Sequence, residues 1–223
     1  MLQEKYRELS NIANNPTFKE LKQAFENYDF FADPMIDSVY PHINEDSFII
    51  QIIGSPSAKY YWESEYYQDL RYRPETLNLI TLAQKLAGQI KRELPGTVFY
   101  KGHFVCLHPH GRQTPHIDGP YWQRHAHRIG VPIITNPDAV TLMEDEAVHM
   151  PSGQLYELNV LRKHGSLNSG KEIRVHLFLD FIPLDRWKLI ENHYKDKDKN
   201  TRHPTFTHNY NCPQSELING SVT

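Results

Sequence analysis

The residues of this 223-residue chain best suited to chemistry fall in one stretch: His116-Ile117-Asp118, then His164, then Arg174-Val175-His176. On a strand successive side chains alternate faces, so His116 and Asp118, two apart, can aim a nitrogen and an oxygen at one point. With His164 they make a two-histidine, one-carboxylate triad. Such a triad caps one face of an octahedral metal and leaves other positions open, which is the donor set of non-haem iron(II). Arg174 adds a planar guanidinium that keeps its charge and grips a carboxylate through two parallel hydrogen bonds. His-x-Asp is a weak signal by itself. A chain with 13 His and 12 Asp holds about 0.7 such pairs by chance, so the elements around the pair decide its meaning.

Two apolar, strand-like runs between 155 and 182 flank Asn168-Ser169-Gly170, residues suited to a tight turn. A hairpin closed there sets His164 opposite Arg174, and opposed residues share a face with Cβ atoms roughly 4.5–5.5 Å apart. The expectation is that ligand and guanidinium enter one cavity from paired strands, with His176 following two residues on. Arg174 precedes Val175-His176-Leu177-Phe178-Leu179-Asp180-Phe181. A charge in so apolar a strand requires a partner, because an unpaired charge is costly to bury.

The text around these residues resembles the aspartyl/asparaginyl β-hydroxylase-like branch of the iron(II)/2-oxoglutarate-dependent dioxygenases, which includes hydroxylases of free amino acids. The matching stretches are Pro115-His116-Ile117-Asp118, His127-Arg128-Ile129-Gly130-Val131-Pro132-Ile133, Gly153-Gln154-Leu155-Tyr156-Glu157-Leu158-Asn159, His164 with Asn168, and Arg174-Val175-His176-Leu177. They span residues 97–183, under half of the chain. The resemblance implies a mostly β fold with flanking helices, a double-stranded β-helix of the jelly-roll, cupin-like kind. It implies Fe(II) held by the catalytic residues His116, Asp118 and His164. It also implies 2-oxoglutarate held at its distal carboxylate by Arg174, with Arg128 and His176 at the cosubstrate. The implied activity is hydroxylation of an Asp-, Asn- or Pro-like amino acid, free or peptidyl, using O2 and releasing succinate and CO2. Family members commonly carry Arg-x-His-x-Pro where this chain has Arg128-Ile129-Gly130-Val131-Pro132, so Gly130 stands in a histidine's place.

Two other histidine pairs compete for a metal. His108-Pro109-His110 and His125-Ala126-His127 could each project two ligands, as in cupin-like metalloproteins that do not use 2-oxoglutarate. Pro109 cannot donate to a sheet ladder, which places its neighbours at a strand end or in a loop. Neither pair is followed by a supporting arginine. A non-catalytic structural or interaction member of the fold is the third reading. His103 and His149 read as ordinary, partly buried histidines, and Tyr121, Trp122 and Arg124 equally as substrate-side residues or as a packed loop over the barrel mouth.

The elements that must position the triad follow from periodicity. Thr17-Phe18-Lys19-Glu20 reads as a capping box opening a helix with Phe18, Leu21, Phe25 and Tyr28 on one side. A second helix opens near Pro74, carries Leu79, Ala83, Leu86 and Ile90, and stops at Pro95-Gly96. Both are expected to buttress a sheet. Strand signals fall at 47–53, 97–107, 128–135, 139–143, 155–161 and 174–182. Tyr60-Tyr61-Trp62 with Tyr66-Tyr67 reads as an aromatic loop packed on the core, with a substrate-facing lid as the alternative. The chain is expected to be one domain: a helical buttress with leading strands over 1–96, a β-helix core over 97–183, and a terminal helix with a polar tail over 184–223. A net charge of -3 gives no footprint for nucleic acid. No apolar run nears the roughly 20 residues of a spanning helix. Two cysteines, Cys106 and Cys212, and a charged opening without a signal-peptide core point to a reduced, cytoplasmic setting.

Overall fold

The computed structural model describes residues 2–29, 47–52, 74–119 and 121–200. The aromatic stretch around Tyr60 and the polar tail beyond 200 lie outside them. The chain divides into two compact units, Met1–Leu184 and Asp185–Thr223.

In the first unit the described residues form ten antiparallel strands: β1 (Tyr6–Asn11), β2 (Ser47–Ile52), β3 (Thr97–Leu107), β4 (Arg112–His116), β5 (His127–Ile134), β6 (Ala139–Met143), β7 (Glu146–Val148), β8 (Gln154–Leu158), β9 (His164–Asn168) and β10 (Arg174–Pro183). They make a six-stranded sheet, β1-β8-β5-β10-β3-β2, and a four-stranded sheet, β4-β9-β6-β7. From β3 onward the chain keeps switching between the two sheets. This is the double-stranded β-helix, mostly β with flanking helices.

Strand alternation explains which face of the large sheet is dry. On β10 the odd positions Val175, Leu177, Leu179 and Phe181 are fully buried, as are Ile129, Val131 and Ile133 on β5 and Phe104 and Cys106 on β3. They pack beneath helices α1 (Pro16–Glu26) and α2 (Pro74–Ile90), which contribute Phe18, Leu21, Phe25, Leu79, Ala83, Leu86 and Ile90. Each buried Val, Leu, Ile or Phe among them contributes roughly 1.5–3 kcal/mol. Phe25 meets Phe104 edge-on, their centroids 4.7 Å apart. The even positions of β10, namely Arg174, His176, Phe178 and Asp180, face the other sheet, and there the functional groups gather. A smaller cluster, Met150, Tyr156, Leu158 and Val160 with Tyr6, Val148 and Phe178, fills the space between the sheets on the β7–β8 side.

Two local expectations change. The N-cap of α1 is Asn15, whose side chain accepts a hydrogen bond from the Phe18 N–H at 3.2 Å, with Pro16 at the first helical position. Asn is among the best caps and Pro is pre-set for that position, so together they displace the Thr17 box. Thr17 Oγ1 instead accepts from Gln89 Nε2 of α2 at 3.0 Å.

The larger change concerns His164 and Arg174, whose strands are not a hairpin. Both edges of β9 are taken, by β4 and by β6, and both edges of β10 by β3 and β5. Residues 169–173 cross from one sheet to the other, held by Asn168, which is fully buried. Its Nδ2 donates to the carbonyls of Leu107 (3.3 Å), His108 (3.0 Å) and Glu172 (2.8 Å). Its Oδ1 accepts from Asn136 Nδ2 at 3.1 Å and from the Gly170 N–H at 3.2 Å. A turn-forming sequence thus makes a crossover, because the side-chain amide satisfies backbone groups that a hairpin ladder would otherwise satisfy.

Helix α3 (Leu184–Asn200) begins where the terminal helix was expected and continues through the alternating Lys and Asp residues. Among the described residues no helix is long and apolar enough to cross a membrane.

Candidate metal centre

His116 closes β4 and His164 opens β9, directly opposite it in the ladder, with ring centroids 4.4 Å apart. Gly165 allows this approach: a Cβ there would stand 2.8 Å from the Gln113 carbonyl and 3.1 Å from Pro115 Cα. Asp118 lies just past the strand rather than on it. Its N–H donates to the Val160 carbonyl at 3.0 Å, which turns the carboxylate back toward the histidines. Asp118 Oδ1 is 3.4 Å from His116 Nε2 and 3.8 Å from His164 Nε2. The three donor atoms lie within 4.8 Å of one another, the one such group of three or more metal-ligating residues among the described residues.

Neighbouring groups fix which atom each ligand presents. His116 Nδ1 donates to the Thr114 carbonyl at 2.8 Å and His164 Nδ1 to the Arg162 carbonyl at 2.9 Å. A carbonyl only accepts, so the protons sit on Nδ1 and both Nε2 lone pairs are free for a metal, the usual way outer-shell bonds select a tautomer. Asp118 Oδ2 accepts from Gln123 Nε2 at 2.7 Å and Arg128 Nη1 at 2.6 Å, leaving Oδ1 toward the histidines. Burial pushes the Asp118 carboxyl up, but His116, Arg128 and His164 outweigh it and hold it well below the usual carboxylate range. The hydrogen bond to Asp118 raises His116, whereas burial lowers His164.

Arg128, expected at the cosubstrate, is committed to the protein's own carboxylates. Nε and Nη2 meet the two oxygens of Asp180 at 2.8 and 3.0 Å, while Nη1 meets Asp118. Asp180 is fully buried and Arg128 is 8% exposed. Burial opposes the Arg128 charge, and Asp180 with Asp118 more than restores it.

Arg174 and His176 build a second feature on the same inner face. Arg174 is 1% exposed and has no carboxylate partner among the described residues. Its Nη2 donates to Thr141 Oγ1 at 2.9 Å and to His176 Nδ1 at 2.8 Å. Arg174 Nη1 and His176 Nε2 are enclosed and make no hydrogen bond among the described residues. Burial draws the guanidinium down to about 9 and holds His176 far below its usual value, hence neutral. Thr141 stands opposite Ser166, and Met143 opposite His164. Thr141 therefore shares the face of His164, and Arg174 reaches that face from the opposing sheet.

The rival pairs are not arranged as ligands. His108 and His110 occupy the turn after β3, where His110 has φ 61°. His125 sits on a short 3-10 turn (Tyr121–His125), while His127 on β5 bonds Glu157 at 2.7 Å on the opposite side of the sheet from Arg128. On that turn Arg124 is exposed, Trp122 is buried against Tyr100, and Gln123 turns to Asp118. Gly130 lies under other side chains: a Cβ there would stand 3.1 Å from Leu158 Cδ1 and 3.5 Å from Phe178 Cε1. Sequence reasoning missed Gln123, Thr141 and Asp180. Only Asp180 left a signal, its parity with Arg174 along β10.

No protein-family model matches the chain, and no curated protein matches it in sequence. Solved structures do resemble it. HygX from Streptomyces hygroscopicus, determined with nickel, 2-oxoglutarate and hygromycin B bound, superposes with a TM-score of 0.50 at 10% identity, over 80% of this chain and 83% of that one. AviO1 from Streptomyces viridochromogenes Tue57 gives 0.49 at 13% identity, over 80% and 90%. A Pseudomonas putida prolyl-4-hydroxylase gives 0.47 at 15% identity, over 81% and 93%. At such identities the likeness to HygX is one of fold: this chain is built on the same double-stranded β-helix.

Proposed function

We propose that this protein is an iron(II)- and 2-oxoglutarate-dependent dioxygenase that hydroxylates an amino acid, free or within a peptide. One observation carries the reading: two incomplete sites lie on the facing inner sides of the two sheets. The first is a facial set of two imidazole nitrogens and one carboxylate oxygen within 4.8 Å of one another. The second is a buried guanidinium whose remaining donor, with that of His176, has no partner among the described residues. An unpaired buried cation of this kind is expensive to maintain without an anionic ligand. A dicarboxylate with a 2-oxo acid at one end satisfies both sites at once. HygX holds a metal and 2-oxoglutarate on the same fold.

The residues present fit such a group. His116, Asp118 and His164 would hold Fe(II), which with 2-oxoglutarate and O2 supplies the oxidant for C–H hydroxylation. The protein's own part is positioning. Thr114 and Arg162 carbonyls orient the imidazoles, and Gln123 and Arg128 keep one Asp118 oxygen occupied so that the other is presented. Arg174, steadied by Thr141, takes the distal carboxylate, with the His176 Nε2–H as a further donor.

Anaerobic titration of the full chain with Fe(II) and 2-oxoglutarate, then O2 exposure and a succinate assay over an amino-acid and peptide panel, tests the proposal. Asp118→Ala should abolish metal binding. Arg174→Met should spare the metal and weaken 2-oxoglutarate binding by about tenfold or more, as expected for a lost charge-assisted bond. A wild-type chain that binds neither ligand and forms no succinate is not this enzyme.

A further inference from the structure

The inner face of β3 carries two basic side chains that neither incomplete site uses. Lys101 stands opposite Asp180 and His103 opposite Phe178, so both share the face of Arg174 and His176. Among the described residues Lys101 makes no hydrogen bond or ion pair. Its Nζ lies 5.9 Å from the centre of the Trp122 ring. Asp180, across the ladder, has both oxygens taken by Arg128. His103 Nδ1 is enclosed and has no hydrogen-bond partner among the described residues. Its ring centroid is 5.6 Å from that of Phe178. Gly130 lies against the same Phe178 ring, in the row His103-Phe178-Gly130 across three strands. Position 130 thus offers no side chain to this row, and His103, its Nδ1 without a partner among the described residues, stands two strands away.

The charge balance of this inner face gives the pair a purpose. Lys101 and Arg128 offset Asp118 and Asp180, and burial keeps His103 and His176 neutral. Burial also draws Lys101 below its usual range, with Asp180 and Asp118 only partly compensating. Should the cavity take a divalent metal and the 2-oxoglutarate dianion, those two cancel, and Arg174 leaves one positive charge unmatched among the described residues.

Building on the oxygenase reading, we propose that Lys101 and His103 form an anchoring subsite for the substrate and that the group they hold is a carboxylate. The substrate is then an organic acid rather than a neutral molecule. Lys101 donates to the carboxylate from beside Trp122, and His103 offers a neutral hydrogen bond above the Phe178 ring.

The test uses the full chain loaded anaerobically with Fe(II) and 2-oxoglutarate. Free L-amino acids and their primary amides, differing only in that charge, are titrated in while the visible absorption of the Fe(II)–2-oxo acid chelate is followed. Wild type should bind at least one free acid about tenfold or more tightly than its amide, the size of a charge-assisted hydrogen bond. Lys101→Met should bring acid and amide to within about twofold while 2-oxoglutarate still loads, and Lys101→Arg should restore the preference. A chain that loads both ligands yet binds no acid of the panel, or binds acids and amides alike, overturns the subsite and leaves the oxygenase reading standing. So does an acid preference that survives Lys101→Met. The wild-type comparison needs no variant to fold. A chain that loads neither ligand overturns the oxygenase reading itself, and the subsite with it.

Discussion

Arg128 supports two carboxylates of different kinds, and removing it should separate their roles. In Arg128→Met, Asp180 loses both of its hydrogen bonds, at 2.8 and 3.0 Å, while fully enclosed. Breaking one side of a buried pair costs about 3–5 kcal/mol, because the remaining charge is left without compensation. That is a large share of the roughly 5–15 kcal/mol by which a domain is stable. Asp118 loses only one of the two donors on Oδ2 and keeps Gln123 at 2.7 Å. Loss of such an outer partner typically weakens metal binding by about 10- to 100-fold, or about 1.4–2.7 kcal/mol. Urea unfolding of metal-free protein reads the first quantity, and titration with Mn(II) or Co(II) the second. The double variant Arg128→Met/Asp180→Leu replaces the buried pair with apolar groups, a change often neutral for stability. It should recover most of the stability and none of the metal affinity. Metal affinity that is unchanged in the single variant, or restored in the double one, would refute the reasoning, since Arg128 would then serve Asp180 alone.

Three further outcomes follow from the same geometry. Arg174→Met should raise the stability of the ligand-free protein, read by urea unfolding, because it removes a buried cation with no carboxylate partner; a loss of several kcal/mol would contradict this. Linkage gives the same sign: with its folded value down at about 9, Arg174 destabilises below that pH and the penalty lifts as pH rises toward the higher value of an arginine in the unfolded chain. At the triad, His116 is raised by Asp118. In metal-free protein its contribution is therefore complete below the unfolded value of about 6.5 and lost as pH rises through the higher folded value. Metal affinity should run the opposite way, falling as pH falls through that folded value because protons compete for Nε2, and a flat Mn(II) affinity across this range would exclude His116 as a ligand. Gly130→His should cost about 1–3 kcal/mol by overpacking against Leu158 and Phe178. Thermal unfolding at wild-type temperature would show that the neighbouring side chains can retreat.

The sequence disclosed faces better than partners. Alternation along β10 marked Val175, Leu177, Leu179 and Phe181 as one side and Arg174 and His176 as the other, and the helices over the first set follow from apolar spacing in α1 and α2. Asp180 shares the parity of Arg174 and was legible in principle. Gln123 was not, since its link to Asp118 depends on a 3-10 turn whose direction no local pattern declares. β1 was equally hidden: Tyr6–Asn11 is charged and half exposed, and it becomes a strand because β8 offers it a free edge. Arg128 shows how a motif can name the right residue while leaving its partner open, because the planar fork that suits a cosubstrate carboxylate suits Asp180 and Asp118 equally well.

His164 and Arg174 carry the deeper lesson. A ten-residue step with Asn168 and Gly170 between them satisfies two geometries: a hairpin, in which they are ladder partners, and a crossover, in which they face each other from opposing sheets. Both place the imidazole and the guanidinium on facing surfaces, so the proposed chemistry does not depend on which topology holds. What differs is the span between them. Ladder partners would be crowded together at roughly 4.5–5.5 Å between Cβ atoms, with no room for a dicarboxylate. Opposed sheets stand about 10 Å apart, a separation that would let the proposed ligand reach a metal held by His116, Asp118 and His164 at one end and Arg174 at the other. Asn168 is the residue that selects this arrangement, since its amide ties the crossover to Leu107, His108 and Glu172. The wider span is therefore what makes a shared ligand geometrically possible, and it comes from the very element that the turn-like sequence disguised.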